Sequence, residues 1–420
     1  MPHIEASSNA VQAPEKTRDP YAVLRNRDLV LYLIGRFAAS IGQQMLIVAV
    51  GWELYQRTHS YIALCLVGLV QTLPIVLFTL PAGHVADNYE RKRVIIWMTF
   101  VTVCTSIGLT LISAYNAPVA WIYGCLFLAA SARTFQWPAS SAFLPNLVER
   151  EEFSRAIAWS SGSFQLSSVA GPAAAGGLIA LMHHAAPVYA LNAVAALTCL
   201  TLMAAVRRRH VVALKEPMSM HRLLVGVRFV VANRVILGVI TLDLFAVLFG
   251  GATSILPAYA KDILLVGPVG YGFLSAALPA GSLVCALFLA HRRPLQKAGR
   301  TMLLAVTGFG VATIGFGVSR WFWLSFLMLL LCGVMDNISV VVRHTLVQLL
   351  TPDEKRGRVS AVNALFIGTS NEMGGFESAF VAYLLGPVFS VVSGGIGTIL
   401  VVAAVALIWP EIRKYGRLDS

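Results

Sequence analysis

Charge is scarce in this 420-residue chain: Asp, Glu, Lys and Arg together make up 12% of it, while 57% is hydrophobic. A typical soluble domain carries about twice that charged share, so a soluble enzyme is excluded on composition. The local patterns of familiar chemistry are also missing. There is no phosphate-cradling loop of the G-x-x-x-x-G-K-S/T type, no H-E-x-x-H zinc helix and no G-x-S-x-G nucleophile turn. An ATP-driven pump within one chain is thereby excluded, and neither enzymatic activity nor a cofactor or metal is expected. The six cysteines (Cys65, Cys104, Cys125, Cys199, Cys285, Cys332) have no short paired spacing and all fall in apolar runs, where they read as small packing residues. The first 27 residues have no apolar core and carry Glu5, Glu15 and Asp19, so they are neither a signal peptide nor a transit peptide.

What the chain has is apolar length. Runs near the roughly 20 residues needed to cross a bilayer recur after position 27. In the first half they cover 29–54, 61–82, 94–114, 118–141, 155–181 and 187–206. In the second they cover 235–260, 270–291, 301–319, 321–347, 359–385 and 388–409. The break at Ser319-Arg320 is the shortest, and without it the count falls to eleven. The expected fold is an all-α membrane protein of twelve transmembrane helices in two pseudo-symmetric six-helix bundles.

The formal charge of +12 does not indicate nucleic acid, because of where the basic residues stand. All but six of the 32 Lys and Arg fall in the tails, in even-numbered connections or at their edges. Arg57, Lys261 and Arg320 lie in odd-numbered connections, and Arg36, Arg133 and Arg343 inside spans. Short basic loops resist translocation, so both termini are expected in the cytoplasm of a bacterial cell, with the chain in its inner membrane. The expected divisions are a tail over 1–27, a bundle over 28–206, a central loop over 207–234, a bundle over 235–410 and a tail over 411–420. Arg207-Arg208-Arg209 opens the loop, and Met220–Val231 sets Leu223, Leu224, Val227 and Val231 near one helical face, as an interfacial helix would. Weak repeats respect this division. Asn26-Arg27 matches Asn233-Arg234, a register that pairs Arg36 with Asp243, and Leu147–Glu152 aligns with Leu349–Glu354.

Between spans two and three stands Pro81-Ala82-Gly83-His84-Val85-Ala86-Asp87-Asn88-Tyr89-Glu90-Arg91-Lys92-Arg93. This resembles the signature loop of the major facilitator superfamily, with Gly83, Asp87 and the basic cluster Arg91, Lys92 and Arg93 in place. Asn88 and Glu90 depart from it, standing where that family usually has a basic residue and a glycine. Gly162 and Gly171-Pro172-Ala173-Ala174-Ala175-Gly176-Gly177 in span five look like the exporters' glycine-proline motif, whose small residues allow close packing and whose proline bends the helix. Arg133 with Gln136 resembles the family's arginine motif, although Trp137 replaces its usual glycine. Asp243–Ala246 through Gly250-Gly251, and Arg343 through Arg356-Gly357-Arg358, are similar to the enterobactin-exporter and macrolide-efflux branch. The resemblance implies halves that rock to alternate access, a loop around Asp87 that gates the cytoplasmic side, proton coupling, and export of a drug-like or siderophore-like molecule.

An ionisable group inside a span costs at least a few kcal/mol unless it faces a cavity or a partner, so each is a functional candidate. A carboxyl in a low-dielectric cavity can exchange a proton at working pH. Asp243 and Glu372 rank first for proton coupling, then Asp336, with Arg133 tuning such an acid or meeting the substrate. Arg36, matched to Asp243 in depth, is expected to pair with it across the halves. Asp336 and Arg343 lie two turns apart on one helix face, and Glu377 and Glu53 are expected to be more solvated. Gln43, Gln44, Gln71, Gln165, Asn363, Asn371, Trp52 and Phe245 are candidate cavity groups, while Trp121, Trp321 and Trp323 read as interfacial anchors. The expected partners are a small-molecule substrate, protons and lipids, without nucleic acid, in a monomer. The rival readings are an importer of the same fold and a membrane sensor or assembly protein that transports nothing.

Overall fold

The computed structural model describes residues 22–149, 151–207, 227–291 and 297–414. The outer parts of both tails and most of the expected interfacial helix lie outside the described residues, as do the side chains of Arg356 and Arg358. The apolar runs become twelve long helices: α1 Arg27–Thr58, α2 Tyr61–Asn88, α3 Arg91–Ala114, α4 Ala120–Phe143, α5 Phe153–Met182 and α6 Ala186–Ala205. The second six are α7 Arg234–Phe249, α8 Gly267–Ala290, α9 Ala298–Val318, α10 Phe322–Leu350, α11 Asp353–Leu385 and α12 Pro387–Ile408.

Local chemistry sets the ends. The repeated Asn-Arg pair is a repeated helix cap: Asn26 Oδ1 accepts from the Asp28 and Leu29 amides, and Asn233 Oδ1 from Ile236. The short break at Ser319 is real, since Ser319 and Trp321 take extended backbone and Ser319 Oγ accepts from the Trp321 amide. Gly386, at φ +88, turns the chain between α11 and α12 in a conformation that favours glycine.

Span seven departs from the continuous helix expected over 235–260. It breaks after α7 at Gly250-Gly251 and continues as a 3-10 turn, Ala252–Ile255, and a π turn, Tyr259–Ile263. A Cβ on Gly250 would stand 2.6 Å from Phe309 Cε1, and Gly251 backs onto Gly374 of α11. Close approach of α9 and α11 therefore uses both glycines.

Ten of the described helices are long and apolar enough to cross a membrane, α7 being counted with its continuation to Ile263. The two that fall short are α4 and α11, and these carry Arg133 and Glu372. Helix packing repeats at a shift of six. α1 packs on α5 and α6, α2 on α4, and α3 on α4 and α6, while α7 packs on α11 and α12, α8 on α10, and α9 on α10 and α12. Two long crossings join the halves, α5 with α8 and α2 with α11, and the same shift exchanges them.

The cores show how the halves meet. On the side away from the termini, one cluster of buried residues draws on both halves, including Leu54, Tyr55, Ile179, Tyr189, Tyr259, Tyr271 and Ala379. On the termini side the described core residues separate, with Leu29, Ile95, Phe143 and Leu147 in one half and Val239, Leu242, Val306 and Leu346 in the other. Among the described residues the halves thus share one core at the far end and keep separate cores at the termini end.

Candidate functional site: charges at the crossing of the two halves

The crossing of α2 and α11 sets Glu372 of one half near a hydrogen-bonded Arg133–Gln71 pair of the other. Arg133 on α4 donates from Nη2 to Gln71 Oε1 on α2 at 2.6 Å. Its charge also acts on Glu372, which α11 presents from the other half. Glycine permits this approach, since a Cβ on Gly68 would lie 2.8 Å from the Glu372 carbonyl and 3.1 Å from the Phe376 amide. Gln71 is a neutral partner and leaves the charge of Arg133 unbalanced within that hydrogen bond. Gln136, one turn on, faces away and donates to Thr99 Oγ1 on α3 at 3.0 Å.

A second cluster lies inside the C-terminal half. Arg343 on α10 forms an ion pair with Asp243 on α7, and both are buried. This corrects the expected pairing of Asp243 with Arg36. Equal depth fixes the level of a side chain but not its direction around the helix, and Asp243 faces α10 within its own bundle. Arg36 stays in the N-terminal half, over the Tyr32 ring at 5.9 Å. Asp336 makes no ion pair or hydrogen bond among the described residues, and lines a small cavity with Asp243, Phe309, Met335 and Ser339. Glu377 is half-buried and accepts from Ser378 Oγ at 3.3 Å.

The glycines of α5 divide between two partners. A Cβ on Gly171 would meet Gln44 Cβ on α1 at 2.7 Å, and one on Gly176 would stand 2.9 Å from Gly272 Cα on α8. Pro172 belongs to the same crossing, because its carbonyl lies 2.6 Å from the position of a Cβ on Gly272. Gly162 and Gly177 have nothing within 4 Å and take no part in close packing.

The expected gating loop is mostly helix, with Gly83 and Asp87 inside α2 and only Tyr89 and Glu90 between α2 and α3. Asn88 Nδ2 donates to the His84 carbonyl at 2.9 Å in the last turn of α2. The basic cluster caps helix C-termini of its own half, where carbonyl ends favour cations. Arg91 donates to the Ala142 carbonyl at 3.0 Å, Lys92 to Val206 at 2.6 Å, and Arg93 pairs with Glu90 at 2.7 Å.

The family model described as transmembrane secretion effector matches residues 18–419. The chain belongs to the transmembrane secretion effector family. It is a multi-pass membrane transporter of the major facilitator superfamily. The chain is 28% identical over 392 residues to "Enterobactin exporter EntS" of Shigella boydii serotype 4, and 28% identical to its namesake in Shigella flexneri, with 91% of this chain and 92% of each relative covered. Among solved structures it resembles a POT family transporter in complex with a thioalcohol-conjugated peptide, at TM-score 0.74 and 12% identity, covering 92% of this chain and 96% of that one. It also resembles a bacterial homolog of the human lysosomal transporter Spinster in an inward-facing and occupied conformation, at TM-score 0.69 and 13% identity, covering 94% and 99%.

This secretion-effector family member also carries contacts that its sequence did not announce. At the far end Tyr55 of α1 donates its hydroxyl to Asp262 beyond α7, linking the halves, and Lys261 lies over the Tyr55 ring at 6.0 Å. Trp52, a candidate substrate platform, instead stacks on Tyr271 of α8 at 5.8 Å. Glu53 is buried rather than solvated, paired with Arg57 at 3.1 Å beside Tyr189. Gln44 donates to Ser168 Oγ at 2.7 Å, and Gln165 donates across the halves to the Pro279 carbonyl at 3.2 Å. Asn363 is buried and Asn371 exposed, so the two amides of α11 do not share one setting.

Proposed function

We propose that the protein is a proton-coupled exporter of a small amphipathic molecule in a bacterial inner membrane, working by alternating access as a monomer with both termini in the cytoplasm. The observation that carries this reading is that Glu372 of one half packs against α2 at Gly68, about one turn from Gln71, which holds Arg133. A carboxylate and a guanidinium facing each other across a movable interface make that interface sensitive to a proton. Ionised Glu372 balances Arg133 and accepts charge-assisted hydrogen bonds from a substrate, while protonated Glu372 carries no charge and accepts only weaker ones. Proton and substrate then compete for one side chain, as exchange requires.

Separate cores on the termini side and one shared core on the far side support a state open to the cytoplasm. The bodies that rock are the six-helix halves over 28–206 and 235–410, with Arg36 and Arg343 holding charge balance within each. Substrates of the siderophore or drug-like kind are favoured by likeness to proteins named enterobactin exporters. The test is flux in vesicles of defined lipid containing the purified protein, with siderophores and amphipathic drugs as probes. Proton-gradient-driven movement opposite to the proton is the expected result. Movement with the proton would make the chain an importer, and no movement of any probe, with the gradient intact, would favour the sensor reading.

A further inference from the structure

We propose that Asp336 is a second proton site, enclosed in the C-terminal half and separate from Glu372, so that two protons rather than one are carried in each cycle. The inference rests on the proton-coupled reading but uses other residues and another place. Glu372 faces α2 and α4 at the crossing of the halves, whereas the cavity of Asp336 is walled by α7, α9 and α10.

A charge inventory carries the argument. The ionisable side chains around this cavity, over the elements packed there, are Asp243 on α7 and Cys332, Asp336, Arg343 and His344 on α10. Among them stand two carboxyls and one guanidinium, and Asp243 takes the guanidinium. Among the described residues Asp336 is left with no cation. Near the middle of α10, an isolated carboxylate is strongly disfavoured, and holding a proton removes its charge.

The geometry also supplies a path and a counter-charge for the ionised form. The cavity holds about 20 Å³, enough for one water, and its polar rim of Asp243, Asp336 and Ser339 can bond that water. Arg343 is buried, and its Nε has no hydrogen-bond partner among the described residues. It stands seven residues from Asp336, about 10 Å along the helix, and side chains on a helix lean toward the N-terminus, here toward Asp336. A proton arriving through the cavity water bonds an Asp336 carboxylate oxygen and leaves a neutral acid. When that proton returns to water, Arg343 leans toward the new anion while keeping Asp243, so one guanidinium is shared by two carboxylates.

Infrared difference spectra of the full-length protein in lipid bilayers, recorded while pH is lowered, resolve protonated carboxyls by their carbonyl stretch. Two exchangeable groups are expected. Asp336→Asn should delete one band and leave the other, and Glu372→Gln should delete the second alone. Ser339→Ala, a mild change in the cavity wall, should shift the Asp336 band without removing it, which keeps the test decisive if Asp336→Asn misfolds. Bands unchanged in both Asp336→Asn and Ser339→Ala would overturn the second site. Survival of both bands in Glu372→Gln, while Asp336→Asn deletes its own, would overturn the interface assignment and leave this one standing.

Discussion

Glu372→Gln should abolish proton-driven flux in reconstituted vesicles while leaving exchange of substrate at equal pH in place. Glutamine keeps the shape of the side chain and mimics the neutral acid, but it can no longer lose a proton. The free energy that couples two ligands in a transporter is typically about 1 to 3 kcal/mol, so the expected fall is about 5- to 150-fold. Flux is the right readout because the substitution sits on α11 against Gly68 through backbone atoms, which it does not alter. Full gradient-driven flux in the variant would remove Glu372 from the mechanism. Loss of both flux and equal-pH exchange would point to a damaged substrate site rather than to proton coupling.

Gly176→Val should hold the far side open. A Cβ there would stand 2.5 Å from the Pro268 carbonyl and 2.9 Å from Gly272 Cα, both backbone atoms that cannot swing aside. Overpacking of that kind costs about 1 to 3 kcal/mol, equivalent to roughly a 5- to 150-fold shift against the sealed state. The neighbouring Gly177→Val is a built-in control, because nothing lies within 4 Å of its Cβ position. Cys65 offers a probe, since it is buried in the core shared by the halves. In a variant with Cys65 as the sole cysteine, a membrane-impermeant thiol reagent added from the far side should react faster in Gly176→Val than in Gly177→Val. Equal rates would show that the α5 and α8 crossing does not govern closure.

The twelve spans were legible because each is an apolar run ended by polar or helix-breaking residues, down to the short stop at Ser319. The kink in span seven was not, because Gly250-Gly251 sits in an apolar context where glycine equally serves helix packing. Candidate acids and bases were visible as charges in oily helices, but their partners were not. Periodicity gives depth and face within one helix, whereas the pairing of Asp243 with Arg343 depends on how α7 and α10 turn toward each other. Glu53 shows the same limit, since nearness to a span end suggested water and its setting beside Arg57 and Tyr189 buries it. The glycine motif announced close packing without saying that Gly171 meets α1 and Gly176 meets α8. Gly68, which seats α2 on α11, carried no signal beyond being a glycine within a span.

Distances between spin labels across the two faces test alternating access most directly. One pair joins Asn116 and Leu265 on the far side, and the other joins Glu149 and Arg300 on the termini side, all of them exposed and with each pair spanning both halves. In lipid nanodiscs titrated from alkaline to acidic pH, opposite changes are expected, one pair lengthening as the other shortens, with the response lost in Glu372→Gln. Fixed distances on both faces at every pH, in protein that still moves its substrate down a proton gradient, would contradict a rocking interface controlled by that carboxyl.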